Sequence, residues 1–229
     1  MSFVKYEINI NESELQGKTL ALPCISIANV PQLAVELLLN NHASELVGRF
    51  NNEGFIQVAG GSESGVVTPM ELRRLRDYKD VLVVDQRSPL LKSHKNEFVE
   101  QLSEWATKLK LNTVLLSSAD SASRGDDEIM SSQLRQLSSE HALYSDKVSA
   151  FQPLELSNAT GAGLLKSYYT SLAHATALCL FTTEGDNRGD ARLLVMALSN
   201  VIGLKAVELR DPKHWEGLFG RLYDAKLFG

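Results

Sequence analysis

Three carboxylates, Glu184, Asp186 and Asp190, cluster with Asn187 just after the apolar run ATALCLF at residues 175–181. Open α/β sheets bind ligands at the carboxyl ends of their strands, and oxygen donors gathered there can hold Mg²⁺. The same residues have a plainer use: Asp186 or Asn187 caps the helix that follows, and the acids sit at its positive end. That is the simpler of the two readings. A second candidate is Asn158-Ala159-Thr160-Gly161-Ala162-Gly163, running into Leu164-Leu165-Lys166 at a helix start. Backbone N–H groups at such a place can cradle a phosphate. The spacing and the Gly-Lys-Ser/Thr end of a Walker loop are absent, so a glycine-rich helix start is favoured over nucleotide binding.

Other reactive side chains do not converge. Ser117, Ser118 and Asp120 follow a strand without the Gly-x-Ser-x-Gly turn that exposes a nucleophile, and the five histidines are scattered singly with no metal-ligand spacing. Cys24 and Cys179 lie inside apolar runs and read as core thiols. Trp215, Leu218 and Phe219 read as core as well. Leu227 and Phe228, ahead of Gly229, are different: large apolar side chains beside a chain end are exposed unless they pack on something. Such a tail can dock in a partner's pocket while its carboxylate meets a cation, or it can pack on its own domain. No catalytic, cofactor or metal residue is assigned.

The elements that must position these residues are organised around residues 18–40, KTLALPCISIANVPQLAVELLLN. Residues 19–27 are apolar and uncharged, as in a strand covered on both faces. Asn29 is placed as helix cap and Pro31 in the first turn, with Leu33, Leu37 and Leu38 at helical spacing, so the connection is predicted to be two or three residues long. Residues 80–86, 111–117 and 175–181 read as further strands. Residues 92–110, 161–174 and 190–202 read as amphipathic helices, the last stopping at Gly203. Strand and helix in alternation predict a parallel sheet. Residues 44–50 and 55–59 are short strands around a turn, 60–65 a solvated loop, and 71–78 undecided. Residues 118–158 are expected to be irregular, with a short helix in 130–143 and a strand segment in 147–156. A short strand is expected at 204–209. The expected division is an N-terminal tail or edge strand at 1–17, one domain at 18–224 and a tail at 225–229.

With 229 residues, 44% hydrophobic and 22% charged, the chain has an ordinary globular composition and can bury a sizeable core. A net charge of −5 disfavours nucleic acid and anionic membrane as partners. No apolar stretch is long enough to span a bilayer and no secretory leader is evident, which predicts a cytoplasmic, and also nuclear, protein.

Three stretches, ordered along nearly the whole chain, resemble the proteasome assembly chaperone family. Thr19-Leu20-Ala21-Leu22-Pro23, with Ile25-Ser26-Ile27-Ala28-Asn29-Val30-Pro31-Gln32-Leu33-Ala34, is similar to the family's strand, small-residue turn and Asn-x-x-Gln-Leu helix start. Glu184-Gly185-Asp186-Asn187 with Asp190 is the second, and Trp215 followed by Leu218, Phe219 and Gly220 the third. The resemblance implies a single α/β domain, a mostly parallel sheet with helices on both faces in a three-layer sandwich. It implies a noncatalytic chaperone without cofactor, in a heterodimer with a related first subunit (proteasome assembly chaperone 1-like). That dimer binds α-type subunits in the α-ring of the immature core particle, promotes assembly and blocks off-pathway ring association. Related subunits end in a hydrophobic residue, a tyrosine and any residue, which insert between α subunits. Leu227, Phe228 and Gly229 stand at those positions, with Phe228 in place of tyrosine. Glu184, Asp186 and Asn187 then form a structural or interface turn. The alternative is a small-molecule enzyme of nucleoside-phosphorylase-like α/β class, with Gly161, Gly163 and the acidic turn as its ligand site.

Overall fold

A computed structural model describes residues 2–56, 60–62, 65–125, 130–140, 142–148 and 159–217. The four long apolar runs form the middle of an eight-stranded sheet: β2 (Thr19–Pro23), β7 (Val81–Gln86), β8 (Asn112–Asp120) and β10 (Ala175–Thr182). They lie in the order β7-β2-β8-β10, each parallel to the next. Every residue of β7 and β10 is buried, the signature of strands covered on both faces.

The outer strands run the other way. On one side β6 (Met70–Leu75), β3 (Ser44–Phe50) and β1 (Val4–Tyr6) continue the sheet from β7, and on the other β9 (Leu134–Ser138) pairs with β10, all antiparallel. The sheet is therefore mixed, with three parallel and four antiparallel pairings, rather than mostly parallel as the sequence suggests. Only doubly covered strands show as unbroken apolar runs. Strands such as β6, MELRRL, carry charge on both faces, with Glu71 buried and paired to Arg73, and so do not read as apolar runs.

Four α-helices among the described residues cover both faces: α1 (Val30–Asn41), α2 (Lys95–Lys108), α3 (Leu165–Ser171) and α4 (Arg188–Ile202). α1 and α4 share one core with Val83, Val114 and Leu178 of the sheet. Phe98, Leu102 and Trp105 of α2 and Leu165 and Tyr168 of α3 share the other with Leu20, Leu22 and Ala177. Alternate residues of one strand thus feed opposite cores, as the two-residue period requires. Each fully buried Leu or Phe contributes about 1.5–3 kcal/mol. β1 is fixed to α2 by aromatic contacts of Phe3 with Phe50 and Phe98, and by Trp105 Nε1 donating to the Tyr6 hydroxyl at 2.8 Å.

Several local expectations change. The β2–α1 connection is six residues, 24–29, with a turn of 3-10 helix, and Asn29 makes no capping bond because it holds a left-handed backbone (φ 51°). Residues 60–62 and 65–67 pair as the antiparallel ribbon β4 (Gly60–Ser62) and β5 (Gly65–Val67) instead of a plain loop. The helix expected in 130–143 is replaced by β9. There the side-chain amide of the buried Gln136 accepts the Ser145 N–H (3.2 Å) and donates to the Val148 carbonyl (2.9 Å), so an apparently polar segment is core. Residues 204–209 form no strand; the segment continues over α1, where Asn40 and Asn41 each donate to the Arg210 carbonyl at 2.9 Å. No helix among the described residues is long and apolar enough to cross a membrane. The strand segment expected at 147–156 lies mostly outside the described residues, as does everything from Leu218 onward.

Candidate functional site

The carboxyl ends of β7, β2, β8 and β10 share one edge of the sheet, and both candidate motifs lie there. The acidic turn joins β10 to α4. Asn187, 4% exposed, places its side-chain nitrogen 2.8 Å from Asp190 Oδ2, 2.8 Å from Thr182 Oγ1 and 2.9 Å from the Thr183 carbonyl. Thr182 Oγ1 donates to the same Asp190 oxygen at 2.5 Å. Strand end and helix start are thereby locked together. Asp186 points elsewhere: Arg188 donates to both its oxygens, at 2.8 and 2.6 Å, and those bonds hold its carboxyl below the ordinary value. Asp186 Oδ1 also accepts the Arg188 backbone N–H at 3.3 Å, and Glu184 is exposed. Asp186 and Asp190 thus serve different partners and do not converge, and among the described residues no group of three such side chains could hold a metal ion.

The glycine turn faces the protein through its carbonyls. The Gly161 carbonyl accepts the Ile27 N–H at 3.0 Å, Thr160 accepts from Asp120 at 2.8 Å, and Ala162 accepts from the Ser117 hydroxyl at 3.0 Å. Gly161 (φ 81°) and Gly163 (φ 62°) adopt the left-handed backbone this docking needs. Through these carbonyls the turn binds the β2–α1 connection and β8. α3, which follows, has seven residues.

Ser118 ties the same corner from β8. Its backbone N–H donates to Ser26 Oγ at 3.0 Å and its hydroxyl to the Ile27 carbonyl at 2.6 Å, beside the left-handed pair Ala28 and Asn29. The serines singled out by their clustering are therefore structural ties within the strand. Cys24 and Cys179 are buried free thiols; burial pushes both thiols up, Cys179 to about 12, so neither is a ready nucleophile.

Residues that the sequence did not bring together form a groove of ≈ 460 Å³ between α1 and the end of β7. Ile25, Gln32, Leu33 and Glu36 form one wall, Asp85 and Arg87 the other. Arg87 Nε donates to Asp85 Oδ2 at 3.1 Å, and burial nevertheless raises the Asp85 pKa, outweighing that guanidinium and Arg73. Both polar atoms of the Gln32 side chain are closed to solvent without a hydrogen bond. No periodicity in the sequence pairs α1 with β7; only sheet order does. On the far helix, Leu193 and Met196 of α4 stand 46% and 57% exposed. The tail residues Leu227, Phe228 and Gly229 lie outside the described residues.

The profile of the PAC2 family matches residues 20–209, from β2 through the segment that crosses α1. The chain belongs to the PAC2 family. It is 29% identical to proteasome assembly chaperone 2 of Danio rerio, over 90% of this chain and 92% of that protein. The human protein of the same name is 24% identical over 94% of this chain and 96% of its own length. Among solved structures, Pyrococcus furiosus PbaA, an archaeal homolog of proteasome-assembly chaperone, superposes with a TM-score of 0.66 at 13% identity, covering 84% of each chain. P. furiosus PbaB, an archaeal proteasome activator, gives 0.60 at 10% identity, over 90% of this chain and 92% of that one. At these identities the two structures establish a shared α/β architecture. The PAC2 match spans both the β2–α1 corner and the acidic turn, two of the stretches on which the family resemblance rests.

Proposed function

We propose that this PAC2-family chain is a noncatalytic chaperone of proteasome assembly. It pairs with a related first subunit, and the dimer binds α-type subunits on the α-ring of the immature core particle, in the cytoplasm and nucleus. There it favours correct ring assembly and disfavours off-pathway ring association. The observation that carries this reading is identity of 24–29% with proteins named proteasome assembly chaperone 2, over nearly the full length of both chains. The separate partners of Asp186 and Asp190 support binding over catalysis, and weigh against the nucleoside-phosphorylase-like alternative, whose ligand site includes the acidic turn. Leu227, Phe228 and Gly229 are the proposed α-ring tail, and Glu184, Asp186 and Asn187 a turn that shapes the sheet edge.

The test is native purification of the full chain tagged at Met1, beside a version ending at Lys226, with mass spectrometry of what copurifies. Recovery of α-type subunits and a related chaperone, with the α subunits reduced on truncation, is the expected result. Absence of both from the full-length purification removes the reading.

A further inference from the structure

We propose that the strap of chain following α4, residues 205–209, is a docking edge for an extended segment of a partner protein in which apolar and acidic side chains alternate. The segment lies beside the strap as an added strand and fills the groove between the strap and α4. This surface goes beyond the chaperone reading and does not rest on it.

Leu204-Lys205-Ala206-Val207-Glu208-Leu209 is expected from the sequence to be a short strand, and residues 204–212 do run without turn or bend. Both ends are fixed. The Leu204 N–H donates to the Ser199 carbonyl at 3.0 Å and the Lys205 N–H to the Tyr78 hydroxyl at 3.1 Å, while the Arg210 N–H donates to Asn41 Oδ1 at 2.8 Å. Between these ties the backbone N–H and C=O groups of Ala206, Val207, Glu208 and Leu209 make no hydrogen bond among the described residues. The first three of the four residues are exposed. An unpaired edge held straight at both ends is a template for another strand, because it is ordered before that strand arrives.

The adjoining groove, of ≈ 530 Å³, sets the partner's chemistry. Val195 and Met196 of α4, with Leu204 and Val207 of the strap, give it apolar surface, and Met196 and Val207 are 57% and 44% exposed. Lys147 and Lys205 also line it, and their side chains have no partner among the described residues; Arg192 stands there paired to Asp211. No carboxylate among the described residues lines the groove, in a chain whose net charge is −5. Within 204–209 only Glu208 takes no part in the lining, so the strap's own acid is kept out of it. Apolar side chains of an added strand bury against Met196 and Val207, and its carboxylates meet Lys147 and Lys205 where a basic segment would meet like charge. The free main chain favours a peptide over a small amphiphilic acid, which would fill the groove and leave the strap unpaired.

The probe is a capped fluorescent decapeptide alternating valine and glutamate, titrated with the full chain and read by fluorescence polarisation. Hydrogen exchange with mass spectrometry locates it: the amides of 206–209 should exchange at the unprotected rate in the free chain and about tenfold or more slowly at saturating peptide. Lysine in place of each peptide glutamate should weaken binding about tenfold or more. Val207→Pro and Glu208→Pro each remove an N–H that nothing among the described residues uses, so the melting temperature should hold. Neighbouring N–H groups of a strand point to opposite edges, so one of the two variants should weaken binding about fivefold and the other less. An unbound peptide, equal binding of the lysine version, unchanged affinity in both proline variants, or protection confined to other residues would each overturn the proposal. Protection of 206–209 that rises with protein concentration in the absence of peptide would overturn it too, by showing that two copies of the chain pair there.

Discussion

A β-carbon on Gly163 would stand 2.0 Å from the carbonyl oxygen of Ile25. Backbone meets backbone here: the glycine turn before α3 presses on the β2–α1 connection at the carboxyl edge of the sheet. The contact leaves no room for a side chain, and the φ of 62° at Gly163 disfavours one independently.

Gly163→Ala is therefore expected to destabilise the protein by about 2–4 kcal/mol, more than a surface glycine substitution, because the neighbour that must give way is main chain. Gly185→Ala is the control, since nothing lies near its β-carbon position. Urea unfolding of both variants measures the difference.

The lock between β10 and α4 makes a second prediction. Asn187→Ala removes the amide that donates to Thr182, the Thr183 carbonyl and Asp190, leaving only the Thr182–Asp190 bond across the junction, and should cost about 1–3 kcal/mol. Because those carboxylates are already engaged, millimolar Mg²⁺ is expected to leave the melting temperature of the parent chain unchanged. A rise of several degrees with Mg²⁺ would show that the turn opens to bind cations.

Asp85 predicts a pH dependence. Burial raises its pKa above the ordinary 3.8, so the folded chain disfavours the ionised form relative to the unfolded chain. That disadvantage is absent below pH 3.8, sets in as pH rises through the interval between the two values, and is complete above the folded value. Asp85→Asn should consequently be more stable than the parent at pH 7 and equal to it near about pH 3. Melting curves across that range decide it; lower stability of the variant at pH 7 would mean that the Arg87 and Arg73 contacts outweigh the burial.

The proposed tail gives a fourth. Phe228→Tyr restores the phenolic hydroxyl that the family resemblance expects, and one added hydrogen bond of about 1 kcal/mol should increase retention of α subunits about fivefold. Phe228→Ala should reduce it. Quantitative mass spectrometry of the native purification reads both.

The sequence alone determined the four central strands, the helices α1, α2 and α4, and the burial of Trp105 and Trp215. Each depends on apolar residues repeated at a local period, and a residue covered on all sides must be apolar whatever surrounds it. The family resemblance was legible for the same reason, since its first stretch is the central strand with its turn. The tertiary structure decided what depends on neighbours distant in the chain. The strand β9 is hidden because Gln136 is satisfied by carbonyls and N–H groups nine to twelve residues away, which makes a polar side chain acceptable in the core. The carboxylates that look like a ligand cluster are divided between Arg188 on one side and Thr182 with Asn187 on the other, and spacing cannot reveal the direction of a side chain. The groove joining Gln32 to Arg87 exists only because β7 takes its place beside β2, a pairing set by sheet order rather than by any local pattern.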